Sequence, residues 1–214
     1  MILQIVWQLL FAMLILVDLQ KGYKMKLDLK TKFLGQKIQY FDTITSTQEY
    51  VKIEEKKNNI TEGEIVFAER QTAGVGTHQR KWYTGKNNNL AFSFVLFPNC
   101  DIKKLDKLTI IIAESMVQAV KELYLITLQI KKPNDIMYQN KKMGGILTES
   151  ITEGTIAKKV FIGIGFNVNQ EIFPGNLGDI ATSLKKEFKA NFSREDILTR
   201  FLEIFEQNYL ELLK

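Results

Sequence analysis

A proline set among basic and apolar residues punctuates this chain more sharply than anything else in it. The segment reads Ile130-Lys131-Lys132-Pro133-Asn134-Asp135-Ile136. Pro133 fixes its own φ, offers no backbone N–H and pushes Lys132 toward an extended conformation. Asn134-Asp135 is turn chemistry. The run 128–132 therefore reads as a strand that ends with cationic heads above a turn. The pair Gly144-Gly145 follows, ahead of Ile146-Leu147. A strand end that carries Lys131 over a turn is a place where charge can meet an anionic substrate.

The rest of the pattern alternates between strand and helix periods. Residues 36–42, 64–69, 128–132 and 160–168 read as strands, and 89–97 as the clearest one, with Leu90, Phe92, Phe94 and Leu96 on one face. Residues 137–138 and 146–151 read as a hairpin around 139–142. A helix opens at Ser46, whose spacing to Glu49 is that of a capping box, and ends near 58–59. Residues 102–123 are helical in period. Residues 193–214 form an amphipathic helix with Ile197, Phe201, Ile204 and Phe205 on its apolar side. The segment 71–88 is long, polar and glycine-containing, and a loop of that length in a compact domain usually has work to do. The sum is an α+β domain with a mostly antiparallel mixed sheet flanked by helices.

Composition narrows the chemistry. The 214 residues fit one sizeable domain. A formal net charge of +5 favours anionic ligands such as nucleotides, yet no basic block resembles a nucleic-acid arm. One cysteine and one histidine, Cys100 and His78, leave no disulfide framework and no multi-histidine zinc site.

Residues 1–17 are nearly all apolar, broken by Gln4 and Gln8. That is the short end of a membrane span, and no basic n-region or small-residue cleavage site marks a signal peptide. Three readings stand: a start upstream of the natural one at Met25, a membrane anchor, or an extra helix packed on the domain. The domain signals begin after Met25, which favours the first and sets 1–24 apart from a single domain at 25–214.

Three further segments carry chemistry. In Gln71-Thr72-Ala73-Gly74-Val75-Gly76-Thr77-His78-Gln79-Arg80-Lys81-Trp82, glycines let the backbone approach a ligand, successive N–H groups can form an anion nest, and Arg80-Lys81 add charge. In Gly163-Ile164-Gly165-Phe166-Asn167, the small residues leave one sheet face open and Asn167 offers a donor and an acceptor to a purine edge. Ser46-Thr47 caps a helix whose N-terminus attracts an anion or polar head group. Each has a structural alternative: a flexible loop, a bulge with a turn-forming asparagine, a simple cap.

Together with Asn89-Leu90-Ala91-Phe92-Ser93, Lys142-Met143-Gly144-Gly145-Ile146-Leu147 and Ala181-Thr182-Ser183-Leu184, these segments run in an order that resembles the biotin–protein ligases, over about residues 38–210. The resemblance implies an enzyme that joins biotin to ATP, with Mg2+, as biotinyl-5′-AMP, and transfers biotin to a lysine of a biotin carboxyl carrier protein in the cytoplasm. It places Lys131 as the catalytic lysine, beside the carboxylate and α-phosphate. Ser46, Thr47, Gln48, Gln71, Gly74, Val75, Gly76 and Thr77 match biotin-contacting positions. Arg80, Lys81, Trp82, Asn134 and Asn167 match the nucleotide side, and no protein metal site is implied.

Several positions depart from the family's pattern. Val75 and Thr77 stand where its loop has arginines, so weaker adenylate binding or help from another lysine is expected. Lys132 stands in place of tryptophan, and Gln48 in place of asparagine. The resemblance leaves no helix-turn-helix before the domain and no small β-barrel after it, which argues against a repressor role. Two alternatives remain: a lipoate or octanoyl ligase or transferase of the same superfamily, and a non-catalytic biotin-binding protein.

Overall fold

The computed structural model describes Met25, residues 27–85 and residues 88–214; the apolar segment 1–24 lies outside them. The chain runs β1 (Ile38–Ile44), α1 (Thr47–Lys56), β2 (Ile65–Gln71), β3 (Leu90–Leu96), β4 (Cys100–Asp101), α2 (Leu108–Tyr124), β5 (Gln129–Lys131), β6 (Asp135–Tyr138), β7 (Lys141–Glu153), β8 (Ile156–Phe166), α3 (Leu177–Ile180), α4 (Leu184–Phe188) and α5 (Arg194–Leu213). The strands form one sheet in the order β1-β2-β3-β8-β7-β6-β5, with β4 paired to β8 off that path. Among the described strands only β1 and β2 pair in parallel, and α1 is the crossover between them. The α+β architecture expected from the sequence is the one observed.

Three elements differ from the sequence reading, each for a local reason. The helix expected over 102–123 is split, because Asp101 caps a short 3-10 turn at Ile102–Leu105 before α2 begins. The stretch 139–142, expected as a turn, contains only a two-residue connection. Lys141 and Lys142 already belong to β7 and pair with β6. The loop 71–88 is braced by a bridge between Val75 and Lys81 and by a 3-10 turn at Thr77–Gln79.

The strand period of two gives the sheet two unlike faces. Phe92, Phe94, Ile162, Ile164 and Phe166 are buried in a large core shared with α2 and α5. Phe201 packs on Phe92 at 5.7 Å between ring centroids and Phe205 on Phe94 at 5.9 Å, so α5 is seated on the strongest strand. The other face carries a smaller cluster in which Val51 of α1 meets Val66, Val95 and Phe161. On that face the rows Ala91–Gly165–Gly145 and Ser93–Gly163–Leu147 run across β3, β8 and β7 in register. Those rows are nearly bare, and α1 covers only part of them.

One buried ion pair ties the first residue of α5 to the sheet. Arg194 Nη1 lies 2.6 Å from Glu69 Oε2, and Nη2 lies 3.0 Å from Oε1. Nη1 also donates to the Asn89 carbonyl, and the Tyr40 hydroxyl donates to Glu69. Burial, with Glu69 adding to it, pushes the Tyr40 phenol well above its ordinary value. Removing one partner of such a pair leaves the other charge buried. Arg194→Met should therefore lower the unfolding free energy by about 3–5 kcal/mol in urea denaturation, as expected for an uncompensated buried carboxylate.

Candidate active site

Two adjoining cavities open here, the smaller on the bare strip, lined by Ser93, Gly145, Leu147, Gly163 and Gly165, and the larger beside it. The larger encloses about 450 Å3, within the usual range of about 300–1,000 Å3 for small-molecule sites. The smaller encloses about 40 Å3, room for a few water molecules at about 10–15 Å3 each. They share Gly76, Thr77, Trp82, Asn134, Lys142 and Ile146, which form the wall between them.

The smaller cavity sits at the N-terminus of α1. Ser46 caps the helix, its hydroxyl accepting from the Glu49 N–H at 3.4 Å. Thr47 places its backbone N–H 2.8 Å and its hydroxyl 3.1 Å from Gln71 Oε1, at the end of β2. That hydroxyl also lies 2.8 Å from Ser93 Oγ on β3. Gln71 thus spends its carbonyl oxygen on α1, and its Nε2 is left a long 3.5 Å contact with Thr84 Oγ1.

Glycine makes the room for these groups. A Cβ at Gly163 would stand 2.8 Å from Gln48 Oε1, and one at Gly165 would stand 2.2 Å from Trp82 Cε2. Trp82 therefore lies flat on the bare backbone of β8 and fills space that the small rows leave open.

The sharpest chemical signal is a set of unpaired polar atoms. Among the described residues, four fully enclosed side-chain atoms lack a hydrogen-bond partner: Gln48 Oε1, Trp82 Nε1, Asn167 Oδ1 and Tyr209 OH. The first three belong to cavity-lining residues. An enclosed polar atom without a partner costs about 1–3 kcal/mol. Three around one pair of cavities read as groups kept free for a ligand.

Lys142 stands in the shared wall. Its Nζ is 2.6 Å from Asp135 Oδ1 and 5.6 Å from the centroid of the Trp82 ring. Asn134 is clamped to β7 beside it: its carbonyl accepts from the Ile146 N–H at 3.0 Å, and its Nδ2 donates to the Ile146 carbonyl at 3.1 Å. The turn read from Pro133-Asn134-Asp135 thus serves to dock the β5–β6 hairpin against the cavity wall. On the far side of the larger cavity, Asn167 Nδ2 donates to the Thr182 carbonyl at 3.0 Å, which leaves its Oδ1 facing inward.

Residues 40–167 match the biotin/lipoate A/B protein ligase family. The chain belongs to that family. Relatives include the bifunctional ligase/repressor BirA of Bacillus subtilis, 38% identical over 192 residues that cover 89% of this chain and 59% of that protein. The human biotin–protein ligase is 28% identical over 84% of this chain and 26% of its own length. The chain thus spans about three-fifths of the Bacillus protein. Among solved structures, the Aquifex aeolicus biotin protein ligase in complex with biotin and ATP superposes with a TM-score of 0.70 at 30% identity, over 82% of this chain and 71% of that one. The Leishmania major enzyme in complex with biotinyl-5-AMP gives 0.66 at 25% identity, over 82% and 76%.

Most of the residues expected at a ligase site converge here. Ser46, Thr47, Gln48, Gln71, Val75, Gly76 and Thr77 line the smaller cavity. Arg80, Lys81, Trp82, Asn134 and Asn167 line the larger. Gly74 lines neither; its carbonyl accepts from the Trp82 N–H at 2.8 Å, which anchors the loop rather than a ligand.

Lys131 is not among the residues that line either cavity. It is exposed on β5, two strands from β7 at the outer end of the sheet. Its backbone partner on β6 is Asp135, which lines the larger cavity, so it starts about one strand spacing, about 4.8 Å, from that wall. Lys132 is exposed as well. Lys81 and Lys142 are the lysines in the cavity linings, and Lys142 belongs to both. The sequence carried a signal for it, since it abuts Met143-Gly144-Gly145, but the residue was absorbed into an expected turn. Lys142 shares the lining of the larger cavity with Arg80 and Lys81.

The loop also holds two adjacent non-glycine residues in the left-handed region, His78 at φ 56° and Gln79 at φ 59°. Such residues cost of order 1–3 kcal/mol each, a load borne at the rim of the larger cavity.

Gly165→Ala should push the Trp82 ring off β8. The chain has two tryptophans, so in a Trp7→Phe background the emission of Trp82 is expected to shift to the red and its quenching by acrylamide to rise. An unchanged spectrum would show that the ring does not rest on Gly165.

Proposed function

We propose that this chain is the catalytic domain of a biotin–protein ligase. It joins biotin and ATP into biotinyl-5′-AMP and passes the biotinyl group to a lysine of a biotin carboxyl carrier protein. The observation that carries this reading is the pair of cavities joined at Lys142: a polar, amide-lined one opening onto a nucleotide-sized one.

In the first half-reaction a biotin carboxylate oxygen bonds to the α-phosphorus of ATP, and the bond to pyrophosphate breaks. Both reactants are anionic, so a cation has to stand between them. Lys142 is placed to do so, oriented by Asp135, and it gains most as charge builds in the transition state. Magnesium arrives with the nucleotide and neutralises its phosphates. In the second half-reaction the carrier's lysine amine attacks the biotinyl carbonyl, the anhydride C–O bond breaks, AMP leaves and the amine loses a proton.

The smaller cavity is too narrow for a bicyclic ring, so Trp82 and the 74–82 loop move outward to admit biotin. Their return over the adenylate keeps water from the anhydride. Asn167 presents an unpaired Oδ1, while one of its two amide N–H groups is used on Thr182. An acceptor there suits the amino group of adenine and opposes the carbonyl of guanine.

Lipoate, handled by other members of the superfamily, fits the smaller cavity less well. Its dithiolane ring has no N–H to satisfy Gln48 Oε1. The use of free ATP places the reaction in the cytoplasm on this reading, and no helix among the described residues is long and apolar enough to cross a membrane.

Biotin-dependent exchange of pyrophosphate into ATP tests the first step. Lys142→Met should lower it by roughly a hundredfold or more, whereas Lys131→Ala should stay near wild type. The opposite pattern would return the catalytic role to Lys131. GTP in place of ATP should support exchange about tenfold less well, given the size of one mispaired buried hydrogen bond. Biotin transfer to a carrier domain, followed by mass spectrometry, tests the second step; no labelled carrier in the presence of MgATP would sink the proposal.

A further inference from the structure

We propose that Glu149, held in place by Lys52, is a positioning residue that sets the amide of Gln48 so that its oxygen accepts from a ureido N–H of biotin. This rests on the biotin reading of the smaller cavity and adds two residues that line neither cavity.

Gln48 is the second residue of α1 and is 4% exposed. Its Nε2 donates to Glu149 Oε2 at 2.9 Å, and its Oε1 is enclosed, unpaired and set against the bare backbone of Gly163. A primary amide is nearly symmetric in shape, so its neighbours decide which end points where. Glu149 decides it here. Burial pushes the Glu149 carboxyl up, but hydrogen bonds from Lys52 and Gln48 outweigh that and hold it below its ordinary value. It is therefore a carboxylate at neutral pH and can only accept. The Gln48 N–H2 must turn toward it, and the oxygen must turn toward the cavity.

The grip has a structural basis. Gln48 and Lys52 are four residues apart on α1 and share a face. Lys52 Nζ lies 2.7 Å from Glu149 Oε2 and 3.0 Å from Glu49 Oε1. On β7, Glu149 pairs with Phe161 of β8, two residues along the same face from the Leu147–Gly163 pair. The helix and the strand thus hold the carboxylate beside the row on which the Gln48 amide rests.

Gln71 mirrors this arrangement. Its oxygen is committed to Thr47, so the end left over is the N–H2. The cavity offers an acceptor from Gln48 and a donor from Gln71. A cyclic urea, one carbonyl flanked by two N–H groups, is the complement of that pair.

The test is a cycle on the full chain, read by calorimetric titration of biotin and by the KM and kcat of biotin-dependent exchange. Glu149→Gln frees the amide to turn and should weaken biotin binding about tenfold, the loss of roughly one buried hydrogen bond. KM for biotin should rise in step, with kcat and the affinity for MgATP unchanged. In a Gln48→Met background the same Glu149→Gln change should have no further effect, because there is no amide left to set. An undiminished affinity in Glu149→Gln overturns the proposal, as does an equal loss in both backgrounds. Loss of MgATP binding in Glu149→Gln also overturns it, since Glu149 would then hold the fold. Wild-type protein that binds no biotin removes the biotin reading itself, and the wild-type titration tells that failure from the others.

Discussion

Everything at this site depends on the absence of side chains along one strip of the sheet. Gly163 and Gly165 on β8, Gly145 on β7 and Ala91 and Ser93 on β3 fall on one face because strand residues alternate. Their neighbours in sequence, Phe92, Phe94, Ile162, Ile164 and Phe166, fall on the other and build the core. The same residues that make one face dense thus guarantee that the other is hollow. The Gln48 amide and the Trp82 ring lie where Cβ atoms would otherwise stand.

The hollow is finished by groups whose second partners are already assigned. Gln48 gives its N–H to Glu149, Asn167 gives its N–H to Thr182, and Gln71 gives its oxygen to Thr47. In each case one end of an ambidextrous amide is taken, and the free end has a defined polarity. Lys142 is treated likewise: Asp135 and the Trp82 ring hold its ammonium at the join of the two cavities. Such preorganisation favours charge that develops during reaction over charge already present.

The rim is less settled than the floor. The loop carries Val75 and Thr77 where the family has arginines. It bends through His78 and Gln79 in the left-handed region, and Trp82 fills part of the space a bicyclic ligand needs. On the proposed reaction, the sheet supports a loop that would open and close to shield a reactive anhydride.

Much of this was legible in the residues alone. The alternation in 89–97, the Ser46 cap, the small residues at 163 and 165 and the turn at Pro133-Asn134-Asp135 announced the elements and most of the site. These are local signals, because a strand's period or a helix cap is a matter of a few neighbouring residues. The identity of the lysine shared by both cavities was not local. Lys131 and Lys142 lie on strands either side of β6, and only the folded sheet puts Lys142 in the lining of both cavities. The Lys52–Glu149–Gln48 grip joins residues about a hundred positions apart. By itself the sequence determined an α+β ligase domain with an open strip on its sheet. The tertiary structure decided which charges and which ends of which amides point into it, because those depend on partners that only the folded sheet brings together.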